Sequence, residues 1–263
     1  MNLVPISPIE HKRHHWRAPT SQDFARDKPL IPLVAAELPK AALAAPIVMT
    51  RHQEAWVPQM LMGFETGRNL MIARNGLMIA DYTPILMRLY PFRAMTSENG
   101  DTVLCFDEGS GLITKDEEAT PFFDAHGVLS APLQRIMDSF RRFEDNRLKT
   151  IESCALLGKH DLFEPWPMAI RKTDESVHLI DGLFRVNERA LKALKGPQLE
   201  ELHRGDALAL AYCQLLSMNR VSTLVALAGA HQQLDRAPSL DDVGMDTLAK
   251  PDAIVFDWDD QGQ

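Results

Sequence analysis

Residues 81–92 of this chain read Asp-Tyr-Thr-Pro-Ile-Leu-Met-Arg-Leu-Tyr-Pro-Phe. Pro84 suits the first position of a helix because its missing N–H would have no partner there, and Thr83 before it is a good N-cap residue. Pro91 cannot continue a helix, since its ring removes a backbone donor and clashes with the preceding turn. The stretch therefore predicts one short helical turn between two prolines, followed by an aromatic segment.

Strands are predicted on both sides of this turn. Residues 70–73 and 77–82 flank Asn75-Gly76, a pair that readily adopts the two positive φ values of a type I′ turn, and this pattern indicates a β-hairpin. Downstream, residues 102–106 have the apolar character of a strand, which would end in a glycine-rich turn at residues 107–111.

The second half of the chain is predicted to be mainly helical. Apolar residues mostly three or four positions apart predict a long helix over residues 131–157, stopped by Gly158. These residues are Leu133, Ile136, Met137, Phe140, Phe143, Leu148, Ile151 and Ala155. Strands are predicted at 168–172 and 177–180, and helices at 188–194 (capped by Asn187), 199–204, 207–216 and 221–234. The resulting fold class is α+β, with a central, mostly antiparallel sheet, one long covering helix and a helical C-terminal half.

The sequence divides into three segments of different character. Residues 1–50 contain seven prolines, so we expect a proline-rich extended arm packed on the body, with one helix at 35–44. Residues 51–234 are predicted to form a single α+β domain. Residues 235–263 carry eight aspartates against Arg236 and Lys250, a net charge of −6, and are predicted to be an acidic, largely flexible tail.

The acidic tail contains one apolar cluster, formed by Ile254, Phe256 and Trp258. Two interpretations remain open. The tail is either a solubilising end, or its apolar cluster docks on a partner or on the body, because Phe and Trp are enriched at binding surfaces.

Composition excludes several classes of protein. The net charge of −8 argues against nucleic-acid binding, which requires a basic surface. No apolar run approaches the roughly 20 residues of a membrane span, and residues 1–30 do not resemble a signal peptide. The three cysteines, Cys105, Cys154 and Cys213, are far apart and lack metal-ligand spacing, which is typical of reduced thiols. We expect a cytoplasmic protein without a membrane span.

Two sets of residues are candidates for a site. Arg88, Tyr90 and Phe92 would line a pocket with one cation and two aromatic walls. Asp107 and Glu108 would lie at a strand end, where adjacent residues point to opposite faces, so that one of them could meet Arg88. The alternative is structural: aromatic side chains mostly fill cores, Arg88 pairs with a carboxylate, and Asp107 stabilises its own turn.

The histidines near the N-terminus are the second set. His11 and His15 would share a face if this segment were helical, and such a pair can bind zinc. The prolines around them favour a solvated basic arm instead. The chain has no phosphate-binding loop, dinucleotide fingerprint or nucleophile motif, so no cofactor is predicted.

Several blocks of the sequence together resemble the SapC-like family, which is named after a surface-layer gene cluster. The blocks, in order, are Ile31-Pro32-Leu33 before Glu37, Ala45-Pro46-Ile47-Val48, residues 82–92, residues 104–108 and residues 179–188. Leu77 stands where the family has a tryptophan, and Ala45 where it has an aromatic residue. The resemblance implies an accessory role beside halogenase-like flavoproteins or surface-export components.

The sequence thus leads to two functional hypotheses. The first is a non-catalytic accessory protein that binds a protein partner, either a flavin-dependent halogenase-like enzyme or a surface-layer export component. The alternative is a protein that binds a small molecule or a peptide, and is an enzyme if that ligand reacts, with its pocket around Arg88, Tyr90 and Asp107.

Overall fold

The computed structural model describes residues 2–97, 99–171 and 177–236. Within these ranges every strand pair is antiparallel, and helices dominate the C-terminal half, so the predicted α+β class is confirmed. The strands are β1 (Leu3–Pro5), β2 (His15–Trp16), β3 (Leu30–Pro32), β4 (Ile47–His52), β5 (Ala55–Leu61), β6 (Phe92–Thr96), β7 (Thr102–Asp107), β8 (Ile113–Thr114), β9 (Thr120–Pro121), β10 (Phe163–Pro165), β11 (Met168–Arg171), β12 (Val177–Ile180) and β13 (Phe184–Val186).

In the described ranges, eight α-helices accompany these strands. They are α1 (Pro8–His11), α2 (Leu38–Ala44), α3 (Ile85–Arg88), α4 (Ala131–Lys159), α5 (Glu188–Ala193), α6 (Gly196–Arg204), α7 (Ala207–Ser217) and α8 (Val221–Arg236). Short 3₁₀ turns at Ala35–Glu37 and Glu108–Ser110 join neighbouring elements. No helix in the described ranges is long and apolar enough to cross a bilayer.

The central sheet has five strands in the order β10-β13-β4-β5-β3. Its β4–β5 hairpin runs from the pair Ile47–Met60 to the pair His52–Ala55, so only Gln53 and Glu54 form the turn. Gln53 has a positive φ of 52°, as tight hairpin turns require. Strand β4 includes residue 50, which is the predicted boundary between arm and body. That division remains a prediction.

Two hydrophobic clusters form the interior among the residues that the structure describes. The larger one packs the five-stranded sheet against α2, α7 and the C-terminal half of α4. The smaller one packs the β1-β7-β6 sheet against the N-terminal half of α4, which contributes Leu133, Met137 and Phe140. It also contains edge-to-face contacts among Phe92, Phe106 and Phe122. Helix α4 is 29 residues long, about 43 Å, and therefore extends from one cluster to the other.

The buried face of α4 differs from the prediction in its second half. Leu148 is half exposed and Ala155 is exposed, whereas Thr150 and Ser153 are buried. Burial of these hydroxyls is possible because both are satisfied. The Thr150 hydroxyl donates to the Asn146 carbonyl at 2.6 Å and accepts from the Ala35 backbone at 2.7 Å, and the Ser153 hydroxyl donates to the Gly205 carbonyl at 2.7 Å.

Three predicted boundaries are corrected. Gly158 does not stop α4; it lies within it, and a Cβ there would come within 2.8 Å of the Trp56 indole nitrogen. Helix α3 begins at Ile85 with Pro84 as its N-cap, one residue later than predicted. Helix α6 begins at Gly196 rather than at residue 199.

The Asn75-Gly76 turn also differs from the prediction. The Gly76 N–H donates to the Ala73 carbonyl, and within residues 73–77 Gly76 alone has a positive φ, of 80°. The turn therefore spans residues 73–76, one position earlier than a type I′ turn at Asn75-Gly76 would. Its flanks meet in a single bridge between Ile72 and Met78 instead of two full strands.

Candidate functional site

A buried carboxylate, Glu37, organises the most distinctive polar region of the molecule. Its side chain accepts hydrogen bonds from the Val34 N–H at 3.2 Å, the Ile85 N–H at 2.7 Å and the Tyr82 hydroxyl at 2.8 Å. Glu37 thereby caps the 3₁₀ turn before α2 and the first turn of α3, because the N–H groups at both helix starts lack intrahelical partners. Segments 45 or more residues apart are joined by this one side chain.

Tyr82 is affected by this arrangement. Burial first, and the neighbouring Glu37 carboxylate second, raise the pKa of the Tyr82 hydroxyl, since both disfavour a second negative charge. The Arg88 guanidinium lies 6.0 Å from the centre of the Tyr82 ring and acts in the opposite direction. Tyr82 therefore remains a neutral hydrogen-bond donor to Glu37.

A cleft of about 580 Å³ opens beside Glu37 and Tyr82, and we call it the α4 cleft. One wall is α4, where residues 139, 142, 143 and 146 recur at three- and four-residue steps and so share one helix face. Between Phe140, the last buried residue that α4 contributes to the smaller cluster, and Thr150, its next buried residue, α4 has no buried residue. The cleft therefore lies beside the part of α4 between its two buried segments.

The rim of the α4 cleft carries three exposed cations, Lys40, Arg88 and Arg142. None of them forms an ion pair in the described part of the chain. The carboxylates in the cleft are the exposed Asp81 and the buried Glu37, which is already occupied by three donors. The apolar part of the lining includes Ile85 and Phe143.

The predicted pocket residues are not all in one place. Arg88 is in the α4 cleft with Tyr82 and Glu37, and does not line a site with Asp107. The cation near Asp107 is Arg93, as the strand register explains. Arg93 in β6 pairs with Cys105 in β7, and Asp107 is two residues further along the same face.

Tyr90 and Asp107 are brought together, away from the cleft. Asp107 is buried and accepts from the Asn2 N–H at 2.8 Å, which holds β1 against β7. Burial and the Asp107 carboxylate raise the pKa of Tyr90, and burial lowers the pKa of Arg93 while Asp107 opposes that change. Tyr90 also stacks on Phe24 with ring centres 3.8 Å apart.

Phe92 and Glu108 have separate environments. Phe92 is fully buried in the smaller hydrophobic cluster, with Trp16 packed edge-on against it at 4.8 Å. Glu108 is exposed and accepts from the Asn2 side-chain amide at 3.2 Å. Asp107 and Glu108 thus both bind Asn2, one through its backbone and one through its side chain.

The two histidines proposed as a metal pair do not share a helical face. Helix α1 ends at His11, and His15 lies in β2, paired with Thr114 and Pro121. His11 is buried, and its Nδ1 faces the Ser7 N–H at 3.3 Å. No cluster of three or more His, Cys, Asp or Glu side chains suited to a metal ion occurs among the residues that the structure describes. Ile254, Phe256 and Trp258 lie outside these residues.

Sequence reasoning missed Lys40 and Arg142 and gave no role to the Glu37 side chain. The α3 and α4 residues of the cleft are more than 50 positions apart, so no local pattern in the sequence connects them. A local signal does exist for Glu37, because a carboxylate at the third position after Val34 can cap the turn there. Its contacts with Tyr82 and Ile85 depend on tertiary packing.

Comparison with known proteins gives one match. A family model described as SapC matches residues 6–224, which is most of the chain. No curated protein and no solved structure matches.

Proposed function

The chain belongs to the SapC family, and on that premise we propose that it is a non-catalytic accessory protein that binds a protein partner through the α4 cleft. The observation that carries this proposal is a partly apolar cleft bordered by three cations, Lys40, Arg88 and Arg142, that form no ion pair with the described residues. Such a surface suits a partner segment that presents both carboxylates and apolar side chains, because charge complementarity accelerates association and apolar contacts add affinity.

The arrangement of polar groups favours binding over catalysis. The one buried carboxylate of the cleft, Glu37, accepts three hydrogen bonds and serves as a structural cap. A general base must be free to take a proton from a substrate within hydrogen-bond reach. Glu37 is committed to donors of the protein itself.

The partner class follows from the resemblance of the sequence blocks. The partner we propose is a flavin-dependent halogenase-like enzyme or a component of a surface-layer or export system, encountered in the cytoplasm. The net charge of −8 supports the further expectation that nucleic acid is not the partner.

The test combines isolation from the native host with matched charge variants. The tagged wild-type chain and its Lys40→Glu, Arg142→Glu and Arg141→Glu variants are purified gently, and co-purifying proteins are identified by native mass spectrometry. Arg141 is the matched control because it neighbours Arg142 but pairs with Asp138 at 3.1 Å and does not line the cleft.

The identified partner is then purified and its affinity is measured by biolayer interferometry. Lys40→Glu and Arg142→Glu should each weaken binding by about tenfold or more, and more strongly at low salt, whereas Arg141→Glu should change it by less than about twofold. Equal affinities for all four chains would show that the α4 cleft is not the interface.

A second candidate function uses the same cleft for a small anionic or aromatic molecule. The volume of about 580 Å³ lies within the roughly 300–1,000 Å³ of small-molecule sites. In this case the chain would carry a small mass increment in native mass spectrometry instead of a partner protein. Arg88→Ala would remove that increment and leave the unfolding midpoint unchanged, because Arg88 is exposed.

A further inference from the structure

The α4 cleft combines surplus positive charge with apolar lining, and one segment of this same chain has the complementary chemistry. Residues 254–260 read Ile-Val-Phe-Asp-Trp-Asp-Asp, which places three carboxylates among four large apolar side chains. We propose that residues 254–260 occupy the α4 cleft when no partner is bound, so that the chain blocks its own binding site. This inference rests on the cleft being the binding site proposed above.

The charges of the two surfaces support this assignment. Three cations, Lys40, Arg88 and Arg142, line the cleft against two carboxylates, Asp81 and Glu37, of which Glu37 is already satisfied by three donors. None of these cations has an ion-pair partner among the described residues, and Asp257, Asp259 and Asp260 would supply such partners. Arginine binds carboxylates through two parallel hydrogen bonds, which makes such pairs stronger than simple charge contacts. Phe256 and Trp258 would be removed from water against the apolar part of the cleft, which includes Phe143.

Because residues 254–260 belong to the same chain as the cleft, their contact with it is favoured over the same contact between two molecules. Helix α8 ends at Arg236, so seventeen residues separate it from residue 254. Seventeen residues span at most about 56 Å when extended, whereas a compact body of this size is about 45 Å across. A tether of this length holds a ligand at an effective concentration of about millimolar, so even a weak contact is populated.

A second surface cleft in the described part of the chain offers a poorer fit. It measures about 710 Å³ and is lined by residues of β13, α5 and α7, including the exposed Tyr212 and Leu216. Its cations Arg185 and Arg189 stand beside an equal number of carboxylates, Glu164 and Glu188, and Arg185 is paired with Glu164 at 2.7 Å. It therefore lacks the surplus positive charge that an acidic segment needs.

The consequence is a competition at one site. A partner would have to displace residues 254–260, so weakening the internal contact should strengthen partner binding. Only partners with a better-matched acidic and apolar segment would bind, which adds selectivity at a cost in affinity.

The experiment uses the full chain with the photo-reactive residue p-benzoylphenylalanine in place of Phe256. After irradiation at low micromolar concentration, cross-linked peptides are mapped by mass spectrometry. The inference requires cross-links to residues that line the cleft, such as Ile85 and Phe143. Equal mixing of unlabelled and ¹⁵N-labelled chains shows whether the cross-link forms within one chain.

Paired charge variants test whether the cross-link depends on the charges of the cleft and of residues 254–260. Arg142→Glu and the double change Asp259→Asn with Asp260→Asn should each lower the cross-link yield about fivefold or more. Their matched controls, Arg141→Glu and the double change Asp241→Asn with Asp242→Asn, should leave it unchanged. Cross-links to other surfaces, cross-links between chains, or yields insensitive to Arg142→Glu would overturn the inference.

The partner assay separates the two proposals. The double change at Asp259 and Asp260 should raise the affinity for the purified partner about three- to tenfold. If the cross-links miss the cleft but Arg142→Glu still weakens partner binding, the internal contact is wrong and the proposed function stands. If the cross-links fall in the cleft but no cleft variant changes the affinity for the partner, the proposed function is wrong instead.

Discussion

Two buried carboxylates, Glu37 and Asp107, fix distant segments of this protein in different ways. Glu37 accepts hydrogen bonds from two backbone N–H groups and the Tyr82 hydroxyl, and beside it the molecule opens into the α4 cleft. Asp107 accepts from the Asn2 N–H and lies beside Tyr90 and Arg93, at the edge of the smaller hydrophobic cluster.

The difference lies in where the positive charge is placed. Arg93 shares the buried face with Asp107 and donates to the Leu86 carbonyl at 3.2 Å, so its charge is used inside the fold. The cations near Glu37 are exposed on the rim, so their charge remains available to a ligand. Beside Asp107, the cation lies within the fold and balances the buried carboxylate. Glu37 is satisfied by neutral donors instead, so the cations near it stay exposed to solvent.

The largest expected effect is on Glu37. Glu37→Ala leaves the N–H groups of Val34 and Ile85 and the Tyr82 hydroxyl without their acceptor. Unmade hydrogen bonds of buried donors cost about 1–3 kcal/mol each, and water entering through the cleft offsets part of this cost. We expect the free energy of unfolding, measured by urea denaturation, to fall by about 3–4 kcal/mol.

Two further variants sharpen this result. Glu37→Gln keeps one acceptor oxygen and should cost about half as much. Glu152→Ala, at an exposed position of α4, should stay within about 0.5 kcal/mol of the wild type. A loss of less than about 1 kcal/mol for Glu37→Ala would mean that water replaces the carboxylate, and Glu37 would then not be a structural cap.

Asp107→Ala should have a smaller effect, of about 1–2 kcal/mol. It removes one backbone contact, from Asn2, at a partly buried position where water can serve as a substitute acceptor. Arg93 keeps its contacts with the carbonyls of Leu86 and Phe92 and is therefore not left without partners. Faster hydrogen exchange should be confined to β1 and its contacts with β7. A loss equal to that of Glu37→Ala would remove the distinction between the two regions.

Local signals made much of the fold predictable from the sequence. The Asn187 side chain caps α5 by accepting from the Ala190 N–H at 2.9 Å, as its position before a helix indicates. The start of α4, its apolar N-terminal half and the strands at β7, β11 and β12 also follow from composition and spacing. In each case, the information lies within one element.

The candidate site required information of another kind. Arg88 was the cation predicted to reach Asp107, but the register of β6 against β7 brings Arg93 there. The second half of α4 buries Thr150 and Ser153, whose hydroxyls find partners on other segments, in place of the apolar Leu148. Strand register and the hydrogen-bond partners of buried polar side chains each depend on two elements together. A single sequence does not display them.

Tyr82→Phe tests the Glu37 region at the level of one hydrogen bond. Because Phe cannot donate to the Glu37 carboxylate, stability at neutral pH should fall by about 1 kcal/mol. The folded pKa of Tyr82 is raised above its ordinary value of about 10, so the neutral hydroxyl contributes fully below pH 10. That contribution is lost as the pH rises through the folded pKa.

The stability difference between wild type and Tyr82→Phe should therefore begin to shrink at about pH 10 and shrink further as the pH rises above it. Urea denaturation at closely spaced pH values measures it, and the buried thiols contribute equally to both proteins and cancel. Tyr90→Phe, in the Asp107 region, provides the parallel comparison because the pKa of Tyr90 is also raised by burial. A difference that stays constant above about pH 10 would show that Tyr82 is not held neutral beside Glu37.

The smallest expected effect distinguishes the rim cations from ordinary surface charges. Lys40, Arg88 and Arg142 border one cleft and form no ion pair with the described residues. In a chain whose Asp257, Asp259 and Asp260 are changed to Asn, these cations therefore repel one another, and Arg142→Gln should raise the free energy of unfolding by a few tenths of a kcal/mol at low salt. Arg141→Gln should lower it by a similar amount, because Arg141 loses its partner Asp138. Both changes should vanish near 1 M salt, where the Debye length is about 3 Å.

If Arg142→Gln stabilises the protein and Arg141→Gln destabilises it, the charge of the rim lowers stability, as expected of a surface whose charge serves binding. Equal signs would mean that the rim cations are ordinary surface charges.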